Sequence, residues 1–230
     1  MTRITAISDT HTKHNQITKD LPGGDIIICS GDISSMGHEH EVNNFCKWFD
    51  KLNNYDHKIF IAGNHDFIFE KNSEKAYEII NSYKWIDYLQ DNLIEVGTDV
   101  EDLIKIWGTP WQPEFCNWAF NLPKNGLKLA QVWNNVPEFT DILISHGPPF
   151  GYCDMVVNEN INLGCQLLIN RIKTIKPKIN IFGHIHSGYG YKFDGDTHFI
   201  NASVLNEQYS YTNKPLTFDW DKNTNELNFL

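Results

Sequence analysis

Five apolar runs in this chain each stop at side chains that bind metal ions. Residues 4–8 lead into Asp9-Thr10-His11, residues 25–30 into Gly31-Asp32, and residues 58–62 into Gly63-Asn64-His65-Asp66. Residues 141–145 lead into His146, and residues 178–182 into Gly183-His184-Ile185-His186. Mixed imidazole and carboxylate donors suit Mn, Fe, Zn, Co or Ni rather than Ca or Mg. Asp9/His11 and His184/His186 are each two positions apart. On an extended strand such side chains point the same way, so each pair is expected to grip one ion. A lone histidine is more often a satisfied polar residue of a core or loop. That reading fails for the set, because burying so many charges together without a cation is very unfavourable.

The elements that must position these groups follow from periodicity. The five runs are apolar rather than alternating, as strands covered on both faces are. Ligands of open α/β sheets collect at the carboxyl ends of strands, which is where these residues lie. Val42, Phe45, Cys46, Trp48, Phe49 and Leu52 fall at helical spacing. Residues 73–83 predict a second helix with Ser73 as its cap. Two more are expected at about 126–134 and at 164–175, the latter stopped by Lys176-Pro177. Residues 93–96 and 102–107 predict a hairpin joined by a Gly-Thr-Asp turn. Thr109-Pro110-Trp111-Gln112-Pro113 reads as loop, since two prolines oppose regular pairing. Asp194-Gly195 and Asp221-Lys222-Asn223 mark turns between antiparallel strands. With no repeat, low-complexity tract or linker, residues 1–230 read as one domain.

Composition narrows the function classes. A net charge of −10 argues against a broad nucleic-acid-binding surface. No apolar run approaches the ~20 residues of a membrane span. The first residues go almost straight into a strand and lack the apolar core of a signal peptide. The five cysteines (Cys29, Cys46, Cys116, Cys153, Cys165) are odd in number and form no Cys-x-x-Cys pair. That favours reduced thiols and a cytoplasmic setting. There is no Gly-rich phosphate loop and no nucleophile elbow, so neither ATP use as a donor nor covalent catalysis is supported. Trp107, Trp111, Trp118 and Phe120 crowd the proline-rich loop. They read as core beneath it or as a base-stacking wall, with Trp111 a candidate substrate contact.

The blocks Asp9-x-His11, Gly31-Asp32, Gly63-Asn64-His65-Asp66, His146-Gly147-Pro148 and Gly183-His184-x-His186 resemble, in order and spacing, the five signatures of the calcineurin-like metallophosphoesterases. Residues 107–113, Asn117-Trp118-Ala119-Phe120, His146-Gly147-Pro148-Pro149 and Gly188-Tyr189-Gly190 are similar to further motifs of the small metallophosphoesterase-domain proteins, the cyclic-nucleotide phosphodiesterase-like branch. The resemblance implies an α/β fold, a four-layer α/β/β/α sandwich. It implies one metal held by Asp9, His11, Asp32 and His186, and a second held by Asp32, Asn64, His146 and His184. Asp32 would bridge two ions of the Mn, Fe, Zn, Co or Ni type. Such a centre hydrolyses phosphodiesters by attack of a metal-bridging hydroxide. His65, not needed as a ligand, becomes the proton donor or a phosphate contact, and Asn64 with His65 the substrate-binding pair. The ions would supply the positive field that a −10 protein lacks for a small phosphate ester, a nucleotide among the candidates.

Some animal members carry glycine in place of His184, which weakens the second site; here both histidines are present. Asp66 stands where relatives often have glutamate and is expected to be tolerated as a non-ligand. Asn201-Ala202-Ser203 is expected to support the site from behind. His14, His38 and His40 match no block and read as surface or surrounding residues. A non-catalytic or weakly active phosphate-binding scaffold and a phosphomonoesterase remain the alternatives, and nothing in the sequence signals an oligomeric state.

Overall fold

In the computed structural model, which describes residues 1–97, 103–156 and 159–230, the chain builds two six-stranded sheets in turn. β1 (Thr2–Ile7), β2 (Gly24–Cys29), β3 (Tyr55–Phe60) and β4 (Asp87–Tyr88) run parallel. Helices α1 (His14–Ile17), α2 (Glu39–Asp50), α3 (Phe67–Lys71) and α4 (Ser73–Ile80) fall between them. The chain enters the second sheet through the antiparallel pair β5 (Asn92–Val96) and β6 (Ile104–Thr109). A short ribbon, β7 (Gln112–Pro113) and β8 (Asn121–Leu122), precedes α5 (Leu127–Asn134) and β9 (Ile142–Ser145). Another, β10 (Met155–Val156) and β11 (Ile161–Asn162), precedes α6 (Gln166–Ile175), β12 (Ile179–Phe182), β13 (Gly190–Phe193) and β14 (His198–Asn201). The first sheet is completed by β15 (Leu216–Trp220) and β16 (Leu227–Phe229). The strand orders are β16-β15-β1-β2-β3-β4 and β13-β14-β12-β9-β6-β5.

Side-chain alternation on these strands sets the layering. Ile26, Ile28 and Ile59 of the first sheet share one core with Ile106, Ile144 and Ile181 of the second, so the sheets pack face to face. Their alternate neighbours Ile27, Cys29 and Phe60 pack against Phe45 and Phe49 of α2 and Ala76 of α4. On the far side Leu143, Phe182 and Phe199 meet Leu129 and Trp133 of α5 and Leu168 and Ile172 of α6. Helix, sheet, sheet and helix layers result. Each fully buried isoleucine or phenylalanine contributes on the order of 1.5–3 kcal/mol by leaving water. No described helix is long and apolar enough to cross a membrane.

Three local expectations shift. The helix expected from Ser73 to Tyr83 ends at Ile80, and its cap is Asn72, whose side chain accepts from Lys75 N. Gln112–Pro113 is paired after all. The ladder bonds run from Gln112 N to Phe120 O and from Glu114 N to Leu122 O, so the proline occupies a position that needs no donor. The Gly-Thr-Asp turn of the expected hairpin runs into 98–102, outside the described residues, whereas its two strands pair as predicted.

Candidate metal centre

β1, β2 and β3 are in parallel register, Ile7 beside Cys29 and Cys29 beside Phe60, so their carboxyl ends reach one edge together. β9 and β12 end alongside in the second sheet, Ile144 beside Ile181. The segments beyond these ends bring the sequence-predicted donors into one cluster. Ligand atoms lie within 4.8 Å of one another in three groups: Asp9–His11–His186, His11–Asp32–His65 and Asp32–His146–His184. Asn64 joins through Oδ1, 2.9 Å from His146 Nε2. Trp111 does not join: its indole N–H donates to Asp91 at 2.7 Å, and its ring meets Phe120 edge-on. Of the four aromatics around that loop, Trp118 meets the site, stacked on His65 at 4.0 Å between ring centroids.

Strand spacing alone puts His184 and His186 on one ion, whereas the family resemblance puts them on two, and the structure divides them between two donor groups. The reason is backbone geometry. Both lie past the end of β12, His184 at φ 69° and His186 at the start of a 3-10 turn, so the two-residue alternation of a strand does not apply. Asp9 (φ 54°), His11 (φ 38°) and Asp32 (φ 51°) are also left-handed, a costly conformation for non-glycine residues that concentrates at functional sites. Close packing of the donors also needs bare backbone. A Cβ on Gly63 would run into Asp32 and His146, and one on Gly183 into Asp9 and Ser8.

Four histidines are oriented by backbone carbonyls: His11 by Ser34 O, His65 by Ser35 O, His146 by Ser30 O and His186 by Asn206 O. A carbonyl only accepts, so Nδ1 carries the proton in each ring and Nε2 is turned toward the carboxylates. Nε2 lies 3.7 Å from Asp32 in His11, 3.4 Å in His146 and 4.0 Å in His65, and 3.3 Å from Asp9 in His186. Asp9 is braced by the Ser203 hydroxyl at 2.7 Å and by the His184 backbone N–H at 3.1 Å. Asn201 Nδ2 donates to the carbonyls of Cys153 and Ile185, and its Oδ1 accepts from Ser203 N, so the Asn201–Ser203 segment supports the site from behind.

Asp66 heads α3, yet its side chain does not cap that helix. The buried carboxylate accepts from Ile33 N, Ser34 N, Ser34 Oγ and Gly63 N, tying the loop after β2 to the loop after β3. Burial, then the charge of Asp32, pushes its pKa up to about 6. The run of serines after Gly31-Asp32 was the sequence signal for such a hub.

Charge is balanced inside the cluster. Burial disfavours charge on every member, but the neighbouring imidazoles outweigh it at Asp9 and Asp32, which stay well below the usual carboxylate range. Burial likewise opposes charge on His146 and His186, yet Asp32 and Asp9 respectively raise both to about 9. His11 and His184 are dominated by burial and fall to about 4. The two carboxylates therefore face the Nε2 sides of His146 and His186, the positions a cation would take. His11 Nε2 is buried with no hydrogen-bond partner at all. An orphaned inward lone pair, one shared carboxylate, a second carboxylate and an amide oxygen fit a divalent transition-metal pair.

His14, expected at the surface or around the site, is instead buried against Phe45 and Trp48, and His38 heads α2, its backbone N–H donating to Glu41 at 3.0 Å. All five cysteines are free thiols.

The defining pattern of the calcineurin-like phosphoesterases matches residues 2–188. The chain belongs to that family. Calcineurin-like phosphoesterases are phosphoric ester hydrolases that bind divalent metals. Among relatives, this member is 38% identical over 239 residues to human metallophosphoesterase domain-containing protein 1, covering 95% of this chain and 71% of the human one. It is 37% identical over 244 residues to UPF0046 protein T07D4.2 of Caenorhabditis elegans, covering 94% of this chain and 59% of the nematode protein. The crystal structure of TT1561 of Thermus thermophilus superposes with a TM-score of 0.65 at 14% identity, over 100% of this chain and 98% of the other. That likeness shows that the two chains share a fold.

Proposed function

We propose that the chain is a dinuclear-metal phosphodiesterase acting on small phosphate diesters, cyclic nucleotides among them, in the cytoplasm. Asp9, His11, Asp32 and His186 would hold one ion, and Asp32, Asn64, His146 and His184 the other. Asp32 is the shared carboxylate, since it belongs to two of the three donor groups. Bound there, the ions supply Lewis-acid polarisation of the phosphoryl oxygens and a water of lowered pKa. The chain's own residues do the rest. Asn64 presents a neutral oxygen beside His146, and His65 handles a proton.

The observation that carries this reading is the setting of His65. Its Nδ1 is tied to Ser35 O at 2.7 Å, Trp118 stacks on its ring, and its Nε2 lies 4.0 Å from Asp32. The ring is thus fixed with one nitrogen toward the reacting region, as a general acid requires. The test compares wild type with His65→Ala on two substrate types, with metal content measured in the same preparations. For a diester with an alkoxide leaving group, kcat should fall by ~10²–10⁴, the usual range for a lost acid. Hydrolysis of a nitrophenyl diester, whose leaving group hardly needs a proton, should suffer much less. Equal losses for both would leave His65 a phosphate-positioning residue. Turnover of monoesters only would make the chain a phosphomonoesterase, and none by a two-metal preparation a binding scaffold.

A further inference from the structure

We propose that Tyr209 is a substrate-contact residue, its ring covering the solvent side of the Asp9–His11–His186 corner and its hydroxyl donating to the bound phosphate; this rests on the phosphoesterase reading above. Tyr209 stands at φ 57°, a left-handed conformation that is a genuine outlier for a bulky residue. Such strain persists only where the surroundings over-determine it, and it clusters at functional sites.

Here the surroundings do so. Asn206 Oδ1 accepts from the backbone N–H groups of Gln208 and Ser210, and Asn206 O accepts from Tyr209 N at 2.8 Å. That same carbonyl orients His186, so the turn that strains Tyr209 is built on a group that positions a candidate ligand. From the other side the Lys13 ammonium donates to the Tyr209 carbonyl, two residues beyond His11.

The ring meets three site histidines edge-on, with centroids 4.8 Å from His11, 5.4 Å from His186 and 6.4 Å from His65. It also walls a cavity of about 220 Å³ that His184 and His186 line. Its near neighbour Tyr211 shows what a structural tyrosine does in this loop. Tyr211 packs on the helix-side core of the first sheet and donates to Asp20 at 2.7 Å. Tyr209 belongs to no core, is 42% exposed, and its hydroxyl has no hydrogen-bond partner among the described residues. The strain therefore holds an aromatic ring over the reactive cluster, with a free donor beside the place where a phosphate would bind.

The test uses the full chain loaded with Mn²⁺. Binding of inorganic phosphate is read by calorimetry, and turnover on bis(p-nitrophenyl) phosphate is read alongside. Tyr209→Phe removes only the hydroxyl. It should keep its metal content and weaken phosphate binding by roughly 10–100-fold, the size of one hydrogen bond to a charged group. Tyr209→Asn removes the ring but tolerates the left-handed backbone. It should lose still more in kcat/KM, while the melting temperature of its metal-free form stays level or rises as strain is relieved. Wild-type phosphate affinity in both variants would overturn the proposal. So would a fall in the melting temperature of Tyr209→Asn that accounts for its lost activity, since that makes Tyr209 a packing residue. If wild type binds phosphate but turns nothing over, the hydrolase reading fails while the calorimetry still judges Tyr209. If wild type binds no phosphate, both fail.

Discussion

The two sheets supply the candidate centre with different materials and hold them differently. The ends of β1, β2 and β3 contribute both carboxylates and the amide, and these segments are stitched together by backbone. Asp9 N, His11 N and Thr12 N donate to the carbonyls of Gly31, Asp32 and Ile33, and Asp66 ties the next loop in. The ends of β9 and β12 contribute imidazoles only. His146 and His186 are oriented through Nδ1, but the His184 ring makes no hydrogen bond among the described residues and meets only the rings of His146 and Phe115. The anionic half is thus stitched by backbone and braced at Asp9 by Ser203 and the His184 N–H, whereas the His184 ring, with no hydrogen bond of its own among the described residues, is modular. A modular ligand can be lost without collapsing the rest.

The sharpest way to break that contrast is at its shared carboxylate. Asp32→Asn should abolish activity and lower metal content at both sites, and full occupancy by elemental analysis would contradict the bridging role. It should also lower the melting temperature, because bound metal stabilises by mass action. Next in size, His184→Ala and His186→Ala should separate. His184→Ala should empty only the site with Asn64 and His146, and His186→Ala only the site with Asp9 and His11, as read from anomalous scattering. Loss of the same ion in both would erase the modularity. A smaller effect is expected from Ser203→Ala, which removes the hydroxyl on Asp9. It should weaken metal binding by ~10–100-fold, as supporting partners of ligands do, with the fold intact by circular dichroism. Smallest of all, Asn72→Ala should cost about 1 kcal/mol by urea unfolding, the worth of a helix cap. Ser73→Ala should cost less, and a reversed order would restore Ser73 as the cap.

The same contrast explains what sequence could reveal. Strand ends were legible because apolar runs stopping at Asp9, Asp32, Asn64, His146 and His184 leave few other interpretations. The partition of His184 and His186 comes only from the family resemblance and not from their spacing, because the alternation rule presumes an extended backbone and His184 is left-handed. The glycines before Asp32, Asn64 and His184 were the available hint of tight backbone. Asp66 reads from sequence only as a tolerated non-ligand, because the partners that give it a role lie in a loop 32 and 33 residues away. The carbonyls of Ser30, Ser34, Ser35 and Asn206 leave no trace in residue identity, since every residue has one. Tyr209 was invisible as a site residue, and Trp118 was not separable from Trp107, Trp111 and Phe120, for a related reason: aromatic type does not say which ring meets a histidine.

The Ser203–Asp9 hydrogen bond spans 194 positions. During folding, that distance becomes a delay. The loop-closure entropy for joining such remote segments must be met before the contact returns anything, and non-local pairings of this kind form slowly. Most of the first sheet can assemble from local parallel units, but Asp9 keeps its brace, and His184 and His186 reach it, only after β12 and β14 have docked. High-affinity ion uptake during refolding should therefore trail the recovery of secondary structure, making the metal a clock for the last steps of assembly.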